Sequence, residues 1–401
     1  MTSPSARRRQ LIVAAGLAPF SPLMRAADTA AWQRIEKMAR GQTVYFNAWG
    51  GGEQINAYLQ WAADEVDKRH GVRIEHVKLG DTAEVVKRVR AEQQAGRVSN
   101  GSADLIWING ENFLVMKRER LLFGPFAEAL PNFGLVDVLG KPTTRVDFSE
   151  PVDGMEAAWG MAQLTFYGDA KKVTLPPTGM AELIEFARKN PGRVTYPKPP
   201  QFHGTTFLKQ LLLELVPDRQ PFYAAAPANA QDLLAPLWRT LDTLHPLLWR
   251  QGRQFPTSAA VMRQMLADGE LLIGLTFNPN EAANEIAAKR LPDSVVSWQH
   301  AGGTIGNTHF LAIPFNARAK EGAQVAINFL QSPLAQARKA DLKVWGDPTV
   351  LALERLAAAD QAAFARGQGL GSVTKPAPAL PDPHASWVDV IEREWARRYG
   401  Q

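Results

Sequence analysis

The sequence predicts an α/β protein of two lobes, on three observations. Strand-like and helix-like segments alternate between residues 42 and 108. The apolar stretch Gly154–Asp169 is longer than a typical strand and reads as an extended crossing from one lobe to the other. A second α/β series begins after about residue 165. With 401 residues, the chain also exceeds what a single core usually supports.

The elements follow in order. Residues 1–27 read as an export signal: Arg7, Arg8 and Arg9 precede the short apolar run Leu11–Ala18, then Pro19–Pro22 and a cleavage zone near Ala26–Ala30. The run is too short to span a bilayer. Consecutive arginines give it a twin-arginine character, with an ordinary secretory signal as the alternative. Ala31–Arg40 is predicted to be a short helix, Gln42–Ala48 a strand, Glu53–Arg69 a helix stopped by Gly71, and Val72–Leu79 a second strand. Asp81-Thr82-Ala83-Glu84 has the form of a capping box that opens the next helix, and Ala103–Ile108 is the third strand. This βαβαβ order implies parallel strands, with ligands collecting beyond their carboxyl ends, where Trp49–Gly52 and Asn109–Asn112 fall.

Beyond the crossing, the pattern predicts a helix at Met180–Lys189, a strand at Arg193–Tyr196, a Pro-rich turn and a helix at Thr205–Leu215. Strands follow at Leu271–Thr276, Ser294–Trp298 and Thr308–Ile313, with helices at Lys320–Leu330, 350–366 and 387–398. The last two helices flank a Gly/Pro-rich segment, residues 367–386.

Composition excludes several chemistries. There is no cysteine, hence no disulfide, no thiolate nucleophile and no lipid anchor through Cys. The formal charge of +5 owes four arginines to the leader; the remainder, 41 basic against 40 acidic residues, gives no electrostatic case for nucleic acid or an anionic membrane. The seven histidines show no metal-ligand spacing, and no P-loop, nucleophile elbow or Ser-x-x-Lys motif is present, so neither a metal nor a cofactor is expected. Gly367–Gly371 is Gly-rich but sits in a Pro-rich loop, not between a strand and a helix.

Longer words carry a more specific signal. Thr43–Gly51, Asp104–Phe113, Gly124-Pro125-Phe126, Trp159–Leu164, Tyr196–Gly204, Leu244-His245-Pro246 and Trp345–Val350 resemble the YnjB-type branch of bacterial extracellular solute-binding proteins, with matches spread from about Trp32 to Leu351. The resemblance implies a two-lobed, type II periplasmic-binding-protein fold: each lobe a mixed or parallel sheet flanked by helices, joined by crossing hinge strands. It implies lobe 1 over 28–155 plus about 305–401 and lobe 2 over 156–304, with hinges near 154–169 and 300–313. It also implies an exported, periplasmic, non-catalytic monomer that binds a small solute and docks on an ABC permease dimer with a cytoplasmic ATPase, without a membrane anchor. The branch lies near thiamine-, iron- and polyamine-type binding proteins.

The residues expected to face the cleft are Trp49, Gly50, Gly51, Asn109, Glu111, Asn112, Trp159, Gln163, Tyr196, Phe202, His203, Asn278 and Asn307. Aromatic planes, amides and one acid suit a small cationic or aromatic-ring solute, thiamine-like in character. For each aromatic, core packing is the alternative, and Trp107 and Trp238 are expected in the core. Six tyrosines, none adjacent, disfavour a ferric site. An oxyanion held by backbone N–H groups of Gly50–Gly52 ranks below a cation. A secreted enzyme with Glu111 as general base is the other function class, and no catalytic constellation supports it.

Overall fold

The computed structural model describes residues 22–366 and 369–400; the arginines and the apolar run of the expected signal lie outside the described residues. Helix α1 (Pro22–Ala39) starts before the predicted Ala31 and lies on a later helix of lobe 1, burying Ala39 and packing Trp32 and Ile35 on the core. Among the described residues, no helix is long and apolar enough to cross a membrane.

Lobe 1 follows the predicted alternation. Strand β1 (Thr43–Trp49) leads to α2 (Glu53–His70), β2 (Arg73–Leu79), α3 (Ala83–Gln94), β3 (Leu105–Ile108) and α4 (Glu111–Arg118). β1 pairs in parallel with β2, Thr43 opposite Arg73 through Trp49 opposite Leu79, and with β3 on its other edge. Val44, Phe46 and Ala48 of β1 are buried, as a strand covered by helices requires. Gly71 ends α2 at φ 66°, a left-handed conformation that glycine adopts without a Cβ penalty. The capping box forms: Glu84 Oε1 accepts the N–H of Asp81 at 3.0 Å.

A short hairpin, β4 (Val146–Asp147) and β5 (Glu150–Pro151), precedes the crossing strands β6 (Glu156–Gln163) and β7 (Thr165–Asp169). Lobe 2 then runs through α5 (Met180–Lys189), α6 (Phe202–Leu215), α7 (Ala230–Leu244), α8 (Ala259–Ala267), β8 (Gly274–Thr276), α9 (Glu281–Ala287) and β9 (Val295–Trp298). The chain returns along β10 (Thr304–Ala312) to α10 (Lys320–Leu330), α11 (Pro333–Ala340), α12 (Ala358–Ala363), β11 (Ala379–Leu380) and α13 (Ser386–Tyr399). β10 ties the large sheet together, antiparallel to β3 and β6 and parallel to β11.

Several local expectations change. In the second sheet, β7 lies between β8 and β9 and is antiparallel to both, so this lobe's sheet is antiparallel where a mixed or parallel one was expected. Arg193–Tyr196 joins no ladder, because the carbonyls of Arg193 and Val194 accept from Leu272 and Trp249 on irregular loops. The strand predicted at Leu271–Thr276 shortens to β8, and residues 350–366 break into α12 flanked by 3₁₀ turns. The last helix also departs from the expected division. Trp387, Ile391 and Trp395 of α13 are buried in the lobe 2 core with Tyr196, Phe207 and Trp238. The tail expected in lobe 1 thus crosses to lobe 2, because α13's apolar face is completed by α6 and α7.

Candidate functional site

Where the lobes meet, the first fixed point is the start of α4. Gly110 has φ 63°, and a Cβ there would lie 2.8 Å from the Phe148 ring, so glycine alone lets that ring close on the helix start. The Gly110 N–H donates to Asp147 Oδ2 at 2.6 Å. Asp147 and Glu150 flank a two-residue turn in which both Phe148 and Ser149 have positive φ, 42° and 61°. Hairpins of this length usually fill such positions with Asn or Gly, so the backbone accepts strain to aim Phe148 inward.

Lobe 2 and the C-terminal segment complete the site. Lys209, on α6, is 1% exposed; its Nζ donates to Asp382 Oδ1 at 2.5 Å and lies 4.1 Å from the Phe148 ring centroid. Glu392 on α13 accepts from Thr205 Oγ1 at 2.6 Å. The Asn307 amide, on β10, faces Asp382. Asn307 is close enough to help hold the Asp382 carboxyl down, yet neither end of its amide, nor Asp382 Oδ2, nor Asp147 Oδ1 closes a well-aligned hydrogen bond among the described residues. All three residues are at most 3% exposed. Buried polar atoms are rarely left so, and several in one place mark a region built to meet something else.

The charges do not balance. Glu111, Asp147, Asp382 and Glu392 surround one ammonium, and their mutual influence is felt across the lobes. Burial pushes the carboxyls of Glu111 and Asp382 up, with Lys209 partly offsetting it, and lifts Asp147 well above the ordinary range. Burial also lifts Glu392 to about 7. Glu156, near Asp147, is buried with both carboxylate oxygens unpartnered and is likewise lifted well above its usual value by desolvation. Desolvation is the leading cause at every one of these carboxyls, and at Glu111, Asp147, Asp382 and Glu392 the Lys209 ammonium offsets it only in part. Among the described residues, no group of three His, Asp or Glu side chains is arranged to hold a metal ion.

The residues expected at the cleft divide. Glu111, Phe202 and Asn307 come to this junction: Phe202 packs beside Phe148 and edge-on to Phe277 at 5.1 Å. Asn112 and Asn109 stand beside Glu111, half-buried, with Asn112 Nδ2 donating to Glu111 Oε1 at 3.3 Å. Trp49 is 41% exposed on the rim, its ring lying over Gly51; Gly50 closes against Lys78. His203 lies next to Phe202, where desolvation lowers its imidazole to about 4, and contacts Gln201 at 2.9 Å. Gln163 spends its amide on Thr304 and on the carbonyls of Ala377 and Pro378, tying β6 to the tail.

Trp159 and Tyr196 are corrected. Both are 0% exposed: Trp159 packs against Trp107, Phe46 and Trp345 in lobe 1, and Tyr196 stacks on Phe207 at 4.7 Å in lobe 2 while its hydroxyl meets His245 and Trp395. Neither ring faces the junction. Trp238 is in the core as expected, and Trp107 is half-buried among Trp159, His309 and Trp345. Asp147, Phe148, Lys209, Asp382 and Glu392 were missed. The polar pair Lys209-Gln210 inside the run Phe207–Leu213, otherwise Phe and Leu, was the available signal, since a helix buried on most sides admits Lys only with a partner.

Asn278 has a different task. Its Nδ2 donates to the Trp345 carbonyl at 3.2 Å, Asn284 Nδ2 donates to the same oxygen at 2.5 Å, and Asn280 Nδ2 donates to Gly346 O at 2.7 Å. Three lobe 2 amides therefore grip one lobe 1 loop. That loop is held in turn by Asp347, which pairs with Lys339 and with His309 Nε2 at 3.0 Å; a Cβ on Gly160 would strike this cluster. Burial alone would raise Asp347, but Lys339 and His309 hold it below the usual carboxylate range.

This geometry has relatives. The model of the bacterial extracellular solute-binding protein family matches residues 61–353. The chain is 46% identical to protein YnjB of Escherichia coli (strain K12) over 385 residues, 96% of this chain and 97% of that one. Among solved structures, the periplasmic binding protein AfuA of Actinobacillus pleuropneumoniae, with fructose 6-phosphate bound, superposes with a TM-score of 0.61 at 14% identity, covering 90% of this chain and 99% of that one. The spermidine/putrescine ABC transporter substrate-binding protein PotD of Streptococcus pneumoniae gives 0.58 at 13%, over 90% and 96%. At such identities these two carry the fold alone, the two-lobed periplasmic-binding-protein type. The chain is thus a YnjB-type member of the bacterial extracellular solute-binding protein family.

Proposed function

We propose that this protein is the periplasmic receptor of an ABC importer, non-catalytic, and that it holds a small organic cation between its lobes before passing it to the permease dimer. The observation that carries the cationic reading is the excess of Glu111, Asp147, Asp382 and Glu392 over Lys209 at the lobe junction, beside the Phe148 and Phe202 rings. A carboxylate cluster with aromatic faces favours a positive nitrogen: each cation–π contact is worth roughly 0.5–2 kcal/mol, and charge-assisted hydrogen bonds about 1.5–3 kcal/mol. The spermidine/putrescine protein among the structural relatives is compatible with this class, whereas the fructose 6-phosphate protein shares the fold with an anionic ligand. The fold therefore does not select the charge, and the residues must.

Native mass spectrometry of the protein purified without denaturation tests the reading. A bound mass belonging to an amine or a quaternary ring cation is expected. A bound phosphate ester or other anion would overturn the cationic assignment and leave the receptor reading intact.

A further inference from the structure

Residues 377–388 run across the junction between the lobes and touch both. Ser149 Oγ of lobe 1 donates to the Asp382 carbonyl at 2.7 Å, and the Ala385 N–H donates to Phe148 O at 3.1 Å. On the other side, the His384 N–H donates to Phe222 O at 2.8 Å, Gln299 Oε1 accepts from the Ala377 N–H at 2.9 Å, and Ser386 Oγ accepts from the Ala226 N–H at 2.9 Å. The segment is a strap with one charged side chain turned inward, Asp382, 3% exposed.

Asp382 is only half satisfied. Oδ1 takes Lys209, while the buried Asn307 amide leans on the same carboxyl, helping to hold it down, without closing a well-aligned hydrogen bond at either end. Asp147 offers an unpartnered, buried oxygen to the same neighbourhood, and the Phe148 face already holds one ammonium at 4.1 Å. Carboxyl oxygens with capacity left to accept, an amide carbonyl beside them and an aromatic face already seating a cation are what a protonated or quaternary nitrogen needs.

We propose that the C-terminal strap is part of the solute site, and that Asp382 on it is the charged contact for the solute's cationic nitrogen, with Asn307 beside it and Lys209 holding the carboxylate in place between ligands. The proposal rests on the cationic reading above and assigns it to a segment that is remote in sequence from the loops after β1 and β3. Because the strap is bonded to both lobes, a solute that fastens Asp382 also fastens the lobes to each other.

The test is calorimetric titration of the full-length mature protein with putrescine, thiamine and fructose 6-phosphate, for wild type and for Asp382→Asn, Ser149→Ala and Glu185→Gln. Glu185 is an exposed α5 residue paired with Arg188 one turn on, and it serves as control. Wild type is expected to bind at least one of the two cations. Asp382→Asn, which keeps shape and removes charge, is expected to weaken that cation about tenfold to a hundredfold, with Glu185→Gln unchanged. Ser149→Ala, which frees the strap without touching its charge, is expected to weaken it several-fold and covers the case in which the Asp382 variant fails to fold. Unchanged affinity in Asp382→Asn, or in Ser149→Ala should the former not fold, overturns the strap while leaving the cationic receptor standing. Uptake of fructose 6-phosphate alone, or of neither cation, removes the cationic reading and the strap with it.

Discussion

Glu392 is the carboxyl at the lobe junction whose ionisation falls near neutrality, and its behaviour separates stability from binding. Burial raises it from 4.5 to about 7, so the folded protein keeps a proton that the unfolded chain loses. Where the folded state binds more protons, stability falls as pH rises; for Glu392 the window is from about 4.5 to about 7, and Glu111, Asp147 and Asp382 act in the same direction. The ligand-free protein is therefore expected to melt at lower temperature at pH 8 than at pH 5, with the drop smaller in Glu392→Gln. Binding of a cation has the opposite sign, because only the ionised carboxylate attracts it. Between pH 6 and pH 8, affinity for the bound cation should rise about tenfold in wild type through this group and by less in Glu392→Gln, as read by calorimetry. An affinity that falls with pH would contradict a carboxylate-lined site.

At the scale of elements, the paired strands β6 and β10 form the axis of the molecule, and their interior is a packing problem before it is a binding one. Trp159 of β6 is enclosed by Trp107, Trp345 and Phe46, with Lys339 Nζ 5.4 Å from its ring centroid. Trp159→Ala should therefore cost about 3–5 kcal/mol in urea denaturation, whereas Trp49→Ala, at an exposed rim position, should stay within about 0.5 kcal/mol. Equal effects would mean that Trp159 is not the core residue described. The same contrast shows what was legible beforehand. Local signals placed β1 to β3, α2, α5, α10 and α13 within a few residues, because each has a full apolar face and a Gly, Pro or capping stop. They failed where long-range partners decide: Arg193–Tyr196 has strand-like residues but meets loops, not a strand. At the lobe junction, rim position brought Glu111, Phe202 and Asn307 into view as candidates, whereas Lys209 and Asp382 lie 173 residues apart, and no local pattern marks them as a pair.

For the whole molecule, the lobes are joined by three kinds of link with different roles. The crossing strands are covalent and permanent, and their ladder is interrupted between His309 and Phe310 by a register shift that gives this axis a place to bend. The strap carries the charged contact. The third link is the grip of Asn278, Asn280 and Asn284 on the Trp345 and Gly346 carbonyls, which forms only when α9 sits against that loop. Each of these bonds contributes about 0.5–1.5 kcal/mol to closure, an amount comparable to the gap between open and closed forms in proteins that populate both. Replacing Asn280 and Asn284 with Ala should therefore shift the population toward the open form without unfolding either lobe. Small-angle scattering is expected to show a larger radius of gyration for the double variant than for wild type under ligand-free conditions, with the difference reduced by saturating ligand. Affinity should fall because the binding-competent fraction falls, and the loss should appear as slower capture or faster release without altered selectivity among solutes. Identical scattering curves, with unchanged affinity, would assign closure to the strap and the crossing strands alone.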